Sequence, residues 1–305
     1  MKELFDQTSF KASKLTTQAY STSFSLGTRF LGSSIRDAIY GIYGFVRFAD
    51  EIVDTFHDYD KQRLFDKFKR DTYEAIEDKI SLNPILNSFQ HVVHDYNIDH
   101  ELIETFLDSM EMDLNKLEYT QQGYEKYILG SAEVVGLMCL KVFVHGDEAE
   151  YKRLQYSAMR LGAAFQKINF LRDLKADFEG MGRSYFPNAD LENFNDQQKK
   201  EIEAEIAIDF AEGYAGIIQL PKSARFGVYM AYIYFYQLFK KIQGTEAQRI
   251  LTERIRIPNP QKYSIFFGSY VRHSLNLLWW KDYLYCYWCP SSCFPSVDHL
   301  MEPKR

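Results

Sequence analysis

The chain has 305 residues, of which 46% are apolar and 16% aromatic, which is ample for a buried core. Its formal net charge is −6, from 36 basic and 42 acidic residues, and Lys and Arg form no stripe, so we expect no nucleic-acid partner. The first twenty residues lack the apolar run of a signal peptide, and no window of about 18 apolar residues predicts a membrane span. These features predict a globular, cytoplasmic protein.

The spacing of apolar residues predicts a chain built of helices. Only 16 glycines and 8 prolines interrupt it. In chain order, helices are expected over residues 35–54, 61–79, 84–95, 99–118, 132–144, 147–178, 196–219 and 222–242. The run over 132–144, "AEVVGLMCLKVFV", has the β-branched residues of a strand, but its length and its helical neighbours favour a buried helix. With no repeat or linker evident, we predict one all-α domain over residues 1–276.

A narrow polar stripe runs along the first of these helices, in "YGFVRFADEIVD". At ~100° per residue, Tyr43, Arg47, Asp50 and Asp54 fall within an arc of ~60°. Most of the remaining circumference is apolar. Surface helices carry a broad polar half, so a thin acidic stripe on an apolar helix indicates the lining of a cavity.

A second stripe of the same kind lies in "AFQKINFLRDLKADFEG". Gln166, Asn169, Asp173 and Asp177 share an arc of ~80° by the same geometry. Two largely buried helices are therefore each predicted to carry a pair of aspartates one turn apart. Arg172, beside the second pair, would be one of the few cations available to balance them.

Buried carboxylates are costly unless cations or hydrogen bonds compensate their charge. Carboxylate oxygens without Cys or His partners suit Mg²⁺, which keeps several waters and shares its coordination with substrate phosphates. The two pairs therefore indicate a phosphorylated ligand bridged by magnesium. The alternative is that each pair is an accident of a helix surface, held by Lys or Arg. For Asp95 and Asp99, which have no apolar setting, that alternative is preferred, and Asp58 is expected to lie in solvent beyond the helix end.

Three segments together resemble the squalene/phytoene synthases, a family of head-to-head prenyl transferases. They are "YSTSF", "YGFVRFADEIVD" and "RLGAAFQKINFLRDLKADFEGMGRSYFP", and the resemblance runs in order from about residue 18 to about residue 276. It implies the all-α isoprenoid synthase fold, a single-domain helical bundle around a central cavity. The form "ADEIVD" is nearer to phytoene synthases than to squalene synthases.

The resemblance implies a metal site at the two aspartate pairs. Asp50, Asp54, Asp173 and Asp177 match the aspartates that hold Mg²⁺, or Mn²⁺, against the diphosphates of two prenyl substrates.

The resemblance also implies nine further site residues. They are the catalytic Tyr43, Arg47, Arg172 and Tyr185, and the substrate-binding Ser21, Ser23, Phe24, Gln166 and Asn169. Structural roles are the alternatives: the serines would cap a helix, the tyrosines would be core aromatics, and Arg172 would pair with a surface acid. The family often has a second tyrosine two residues after the position of Tyr127, but Leu129 stands there in this chain.

The implied activity is the condensation of two geranylgeranyl diphosphates to phytoene, through a cyclopropylcarbinyl diphosphate. It needs no NADPH. The chain shows no Ser-His-Asp order and no phosphate-binding glycine loop, in keeping with chemistry that ionises an allylic diphosphate. The alternative enzyme makes squalene or dehydrosqualene from two farnesyl diphosphates. A more distant alternative is a non-catalytic assembly factor of the same fold.

Residues 277–305 differ in character from the rest, with all three tryptophans and three of the four cysteines. Cys286, Cys289, Cys293 and His299 have a poor spacing for a structural zinc site. Clustered Trp and Tyr suit a membrane–water interface, which predicts peripheral membrane association; an altered tail without function is the alternative. The single cysteine of the body, Cys139, suits a reducing compartment. Nothing in the sequence indicates an oligomeric state.

Overall fold

The computed structural model describes residues 1–115, 119–181, 185–187 and 194–258, except the side chains of residues 115 and 176–181. All regular structure within these ranges is helical. The helices are α1 (Lys2–Tyr20), α2 (Thr22–Arg29), α3 (Ser33–Asp54), α4 (Lys61–Asp78), α5 (Pro84–Asp95), α6 (His100–Asn115), α7 (Gln121–Ile128), α8 (Val134–Phe143), α9 (Glu148–Met181), α10 (Asp196–Ile217), α11 (Lys222–Gln243) and α12 (Ala247–Ile250), with a π-helical turn at Leu129–Glu133. The predicted all-α fold class is confirmed.

The eight helices expected from the sequence are present, with ends shifted by a few residues. Helices α1, α2, α7 and α12 were not predicted. The spacing of apolar residues does not reveal α1, because the buried face of this helix consists of Ser9, Ser13 and Thr17. This face packs closely on α3 and α5: the Ser13 hydroxyl lies 2.6 Å from the Ser88 hydroxyl, and a Cβ on Gly44 would lie only 2.8 Å from the Ser13 oxygen. Helix α1 is therefore held by the close packing of small residues and not by apolar side chains.

The segment predicted as a buried helix over 132–144 begins with the π-helical turn and continues as α8. Such turns are frequent at functional sites because they shift side chains out of the helical register. The last residue of the turn, Glu133, is buried and pairs with Arg160 of α9. Arg160 also contacts Asp209 of α10 at 3.1 Å. These ion pairs tie the turn to α9 and α10.

Three apolar clusters pack the bundle. The first joins α3 to α4, α5, α6 and α8, and includes Phe45 stacked on Phe89 with ring centres 3.9 Å apart. The second joins α9, α10 and α11. A third, smaller cluster, here called the floor cluster, has as its buried members Leu137, Leu140, Val144, Tyr151, Leu154 and Leu220. The three clusters surround a central cavity.

Within the described ranges no helix combines the length and the apolar character needed to cross a bilayer. The predicted domain limit at residue 276 and the aromatic tail over 277–305 lie outside the described residues.

Candidate active site

The central cavity is lined mainly by apolar side chains of α2, α3, α8, α9, α10 and α11. The cavity has a volume of about 260 Å³. At one end lie Phe24, Ser131 and Gln166, and at the other lie members of the floor cluster, including Leu154 and Leu220. The cavity has the apolar character of a site for a hydrocarbon chain.

Helix α2 and its N-cap carry three predicted substrate-binding residues, Ser21, Ser23 and Phe24, of which Phe24 lines the cavity. Ser21 is the N-cap of α2 and accepts a hydrogen bond from the Phe24 amide at 3.2 Å. Ser21 therefore has the capping role that was the structural alternative. Its hydroxyl also hydrogen-bonds with Tyr43. Phe24 stacks on Tyr43 with ring centres 4.7 Å apart and lines the cavity. Ser23 is half-buried in the first turn of α2.

Arg47 is the cation of the first aspartate pair. Its guanidinium donates to Asp50 at 2.5 Å and to Glu51, and lies over the Tyr20 ring at 4.4 Å from the ring centre. Its Nε is buried and has no hydrogen-bond partner in the described structure. Arg47 is therefore oriented by two acids and one aromatic ring, with a donor left to receive an anion. Neither Glu51 nor Tyr20 was predicted to belong to the site.

The first pair carries more negative charge than Arg47 balances. The pKa of Asp50 is raised to about 7, first by burial and then by the nearby charges of Asp54, Asp113 and Glu51, against the opposing effect of Arg47. A carboxyl group with so high a pKa is one whose ionised form lacks compensation. The surroundings of Asp50 therefore favour the arrival of a cation.

Asp113 of α6 is a site residue that sequence reasoning missed. It is buried and accepts hydrogen bonds from Tyr119 at 3.0 Å and from Tyr127 at 2.6 Å. Burial, followed by the charge of Asp113, raises the pKa of Tyr127, which therefore stays a donor. A sequence signal existed: Asp113 continues the apolar stripe of α6 after Phe106 and Met110, a position where a carboxylate needs partners.

Aromatic rings connect Asp113 to the second helix of the site. Tyr185 is buried and stacks on Phe170 of α9 with ring centres 4.1 Å apart, and lies 5.2 Å from the Tyr127 ring. Because Asp113 acts electrostatically on Asp50 and also binds Tyr127, it links the first aspartate pair to this part of α9.

Asp173, of the second pair, is held by two arginines. Arg172 donates to it from Nη2 at 2.5 Å, and Arg254 contacts its other oxygen at 2.6 Å. Arg172 thus pairs with a predicted metal ligand and not with an unrelated surface acid. Arg254 was missed because it lies 81 residues away in a segment without helix, where no local pattern marks it. Asp177 follows on α9, and its side chain is outside the described part of the chain.

The remaining predicted residues lie on the cavity side of the second pair. Gln166 lines the cavity and donates to the Ser131 hydroxyl at 3.3 Å. Asn169 is half-buried on the next turn of α9. The aspartates that were expected to lie outside the site do so. Asp58 is exposed beyond the end of α3, and Asp99 pairs with Lys141 at 3.1 Å.

The donor set suits a magnesium ion. The described aspartates offer hard oxygen ligands, and the raised pKa of Asp50, caused first by burial, marks a site short of positive charge. Among residues with described side chains, no three His, Cys, Asp or Glu residues converge as a ready-made metal site. A metal here would thus take further ligands from water or a bound phosphate, as Mg²⁺ commonly does.

A family model described as squalene/phytoene synthase matches residues 17–261. The chain is 30% identical over 193 residues to the 4,4'-diapophytoene synthase of Staphylococcus haemolyticus, covering 60% of this chain and 64% of that protein. It is 26% identical over 254 residues to the chloroplastic phytoene synthase of Daucus carota, covering 74% and 61%. The chain therefore spans a little over three fifths of the length of these relatives.

Among solved structures, a dehydrosqualene synthase in complex with ligand superposes with a TM-score of 0.75 at 18% identity, covering 88% of this chain and 98% of that one. At this identity the likeness speaks for the fold. The family model, which covers well over half of the residues, speaks for the family itself. On that evidence, the chain belongs to the squalene/phytoene synthase family.

Proposed function

We propose that the chain condenses two prenyl diphosphates head to head, with geranylgeranyl diphosphate as substrate and phytoene as product. One observation carries the proposal. An apolar cavity is lined by Phe24, which stacks on Tyr43, and by Gln166, and these residues connect it to α3 and α9, the helices that carry the aspartate pairs. On these helices burial, with the charge of Asp54, raises the pKa of Asp50 to about 7, and Asp173 pairs with two arginines. This arrangement suits a ligand with a long hydrocarbon tail and a metal-bound diphosphate head.

The arginines would balance the diphosphates. Arg47 offers its unpartnered Nε, while Arg172 and Arg254 would transfer donors from Asp173 to a phosphate oxygen as substrate binds. Magnesium held by Asp50, Asp54, Asp173 and Asp177 would supply electrostatic stabilisation of the departing diphosphate. The negative charge that develops on the diphosphate when the allylic bond breaks would then be stabilised by these arginines and the metal.

The aromatic residues near the carboxylates would protect the cation formed when the bond breaks. Phe24, stacked on Tyr43, covers the entrance to the cavity, and Tyr185 lies flat against Phe170. These ring faces can stabilise positive charge and exclude water. The double bond of the second prenyl chain would attack the cation, and loss of a proton from the resulting carbocation would close the ring of the cyclopropylcarbinyl diphosphate. A second ionisation at the same site and loss of a proton complete phytoene without NADPH.

The form of "ADEIVD" favours the phytoene reaction, whereas the similarity to a 4,4'-diapophytoene synthase favours the alternative of two farnesyl diphosphates. Retention of all four predicted metal-binding aspartates speaks against a non-catalytic assembly factor.

The decisive test is product analysis. The purified chain is incubated with Mg²⁺ and either geranylgeranyl or farnesyl diphosphate, with and without NADPH, and products are identified by gas chromatography and mass spectrometry. We expect phytoene from geranylgeranyl diphosphate, with no effect of NADPH. A C30 product formed in preference to phytoene would establish the alternative enzyme, and no turnover of either substrate would refute the enzyme altogether.

A further inference from the structure

The π-helical turn at Leu129–Glu133 joins two parts of the site. Just before it, Tyr127 donates a hydrogen bond to Asp113 at 2.6 Å. Within it, Ser131 lines the cavity and accepts a hydrogen bond from the Gln166 amide of α9 at 3.3 Å. A π-helical turn holds one residue more than a turn of α-helix, which shifts the side chains beyond it by ~100° around the helix axis. The register of this turn therefore decides which partners its side chains meet.

Glycines let the backbone of the turn lie directly against two helices. A Cβ on Gly130 of the turn would lie 2.6 Å from the Thr105 carbonyl oxygen of α6. A Cβ on Gly162 of α9 would lie 2.6 Å from the Ala132 carbonyl oxygen of the turn. This close packing sets the spacing between the turn and its neighbours, whereas directional bonds are needed to select between registers that differ by one residue.

A network of ion pairs supplies such bonds, beginning at the last residue of the turn. Glu133 pairs with Arg160 of α9, and Arg160 contacts Asp209 of α10 at 3.1 Å. Lys167, two turns further along α9, contacts Asp209 at 2.7 Å and also pairs with Glu205. Glu133, Lys167 and Asp209 are 5%, 3% and 2% exposed. None of the five is among the described residues that line the cavity, so the network lies outside the site itself.

A buried network of this kind selects a register more than it adds stability. The pairing of buried charges roughly offsets the cost of removing them from water, so such pairs commonly contribute little net stability. Compensation is incomplete here, because three acids share two cations and the Arg160 Nε is buried without a hydrogen-bond partner in the described structure. A return of the turn to the α-helical register would part Glu133 from Arg160 and leave a buried carboxylate unpaired, which is strongly destabilising.

We propose that Glu133 is a positioning residue, which through its pair with Arg160 holds the turn in the π-helical register. In this register the Ser131 hydroxyl meets the Gln166 amide at the cavity wall, so the amide is oriented before a substrate enters. The inference rests on the proposed function, because it assumes that Gln166 contacts the bound prenyl diphosphate. Glu133 itself touches no substrate, and its effect on the reaction passes through the turn.

The first test removes the charge of this residue but keeps its shape. In Glu133→Gln, we expect kcat/KM for the prenyl diphosphate substrate to fall about tenfold. Glu203→Gln is the matched control, because it neutralises a buried acid whose partner, Lys199, lies one turn away on α10 itself. We expect similar melting temperatures for the two variants and a loss of activity only in the first. Equal losses of activity, or none in Glu133→Gln, would overturn the proposal.

The second test asks whether Glu133 acts through Ser131. Ser131→Ala removes the hydroxyl that the Gln166 amide meets and should itself lower kcat/KM. The double variant with Glu133→Gln should be no less active than the weaker of the two single variants, because the contact that the turn positions is already lost. A merely structural role of Glu133 would act independently, so a loss equal to the product of the two separate losses would reject the proposal.

Hydrogen exchange separates this inference from the reaction. Exchange of the amides of residues 129–136 is followed by mass spectrometry in the full wild-type chain, in Glu133→Gln and in Glu203→Gln, without substrate. We expect only Glu133→Gln to exchange faster there, by about tenfold, with residues 84–95 of α5 unchanged. Unchanged exchange, or an equal increase in both variants, would refute the role of Glu133. If exchange rises as expected but the wild-type chain turns over no prenyl diphosphate, the positioning role stands and the proposed reaction fails.

Discussion

Replacing Asp50 by asparagine is expected to stabilise the metal-free protein at pH 8 while nearly abolishing turnover. Burial, followed by the charge of Asp54, raises the pKa of Asp50 from 3.8 to about 7. The folded protein therefore binds this proton more tightly than the unfolded chain, so the free energy of unfolding falls as pH rises between about 4 and about 7. Asp50→Asn retains an oxygen acceptor for Arg47 but carries no charge, so its free energy of unfolding does not fall in this way as pH rises.

The size of the effect follows from the pKa and the exposure. For a fully buried group, the difference between 3.8 and about 7 corresponds to ~4 kcal/mol. The side chain of Asp50 is 34% exposed, so solvent screens much of this and about 1–2 kcal/mol remains. In a chain of this length that raises the melting temperature by about 2–4 °C. At pH 5 the unfolded residue is already ionised whereas folded Asp50 is protonated, so the expected gain is smaller, roughly two fifths of that at pH 8.

The assay is scanning calorimetry in EDTA at pH 5 and pH 8, together with product formation at pH 8 with Mg²⁺. Asp58→Asn is the matched control, because Asp58 is exposed beyond the end of α3 and should change neither quantity. A melting temperature of Asp50→Asn that is unchanged or lower at pH 8, or one raised equally at both pH values, would refute the electrostatic reasoning. Substantial remaining turnover would refute the assignment of Asp50 to the metal.

Two further substitutions test the cavity wall and the second aspartate pair. Gly162→Ala should lower stability by about 1–2 kcal/mol, because its new Cβ would lie 2.6 Å from a backbone oxygen, whereas Gly244→Ala, with nothing nearer than 3.7 Å, should be neutral in the same denaturant titration. Arg254→Gln removes one of the two cations on Asp173 and should weaken inhibition by inorganic pyrophosphate about tenfold, while Arg249→Gln, which breaks an exposed pair, should not. Equal effects within either pair of variants would contradict the structural assignment.

The local pattern of the sequence was sufficient for the longer helices that bury apolar side chains, though not for the short helices α7 and α12. It was also sufficient for the polar stripes, because residues one turn apart on a helix share a face whatever surrounds them. Tyr43, Arg47 and Asp50 on α3 could thus be grouped before any tertiary contact was known, and so could Gln166 and Asp173 on α9. Helix α1 could not, because its buried serines and threonine carry no apolar signal.

Contacts between distant segments were decided by the tertiary structure alone. Arg254 reaches Asp173 across 81 residues, and Asp113 joins the first aspartate pair to the aromatic rings beside α9. The end of the cavity at Leu154 likewise depends on where α8, α9 and the turn after α10 meet. The spacing of residues along one helix determines which side chains share a face, but only the packing of helices determines what that face meets. For this chain, the sequence therefore grouped the acidic side chains of α3 and of α9, and the fold decided which charges balance them.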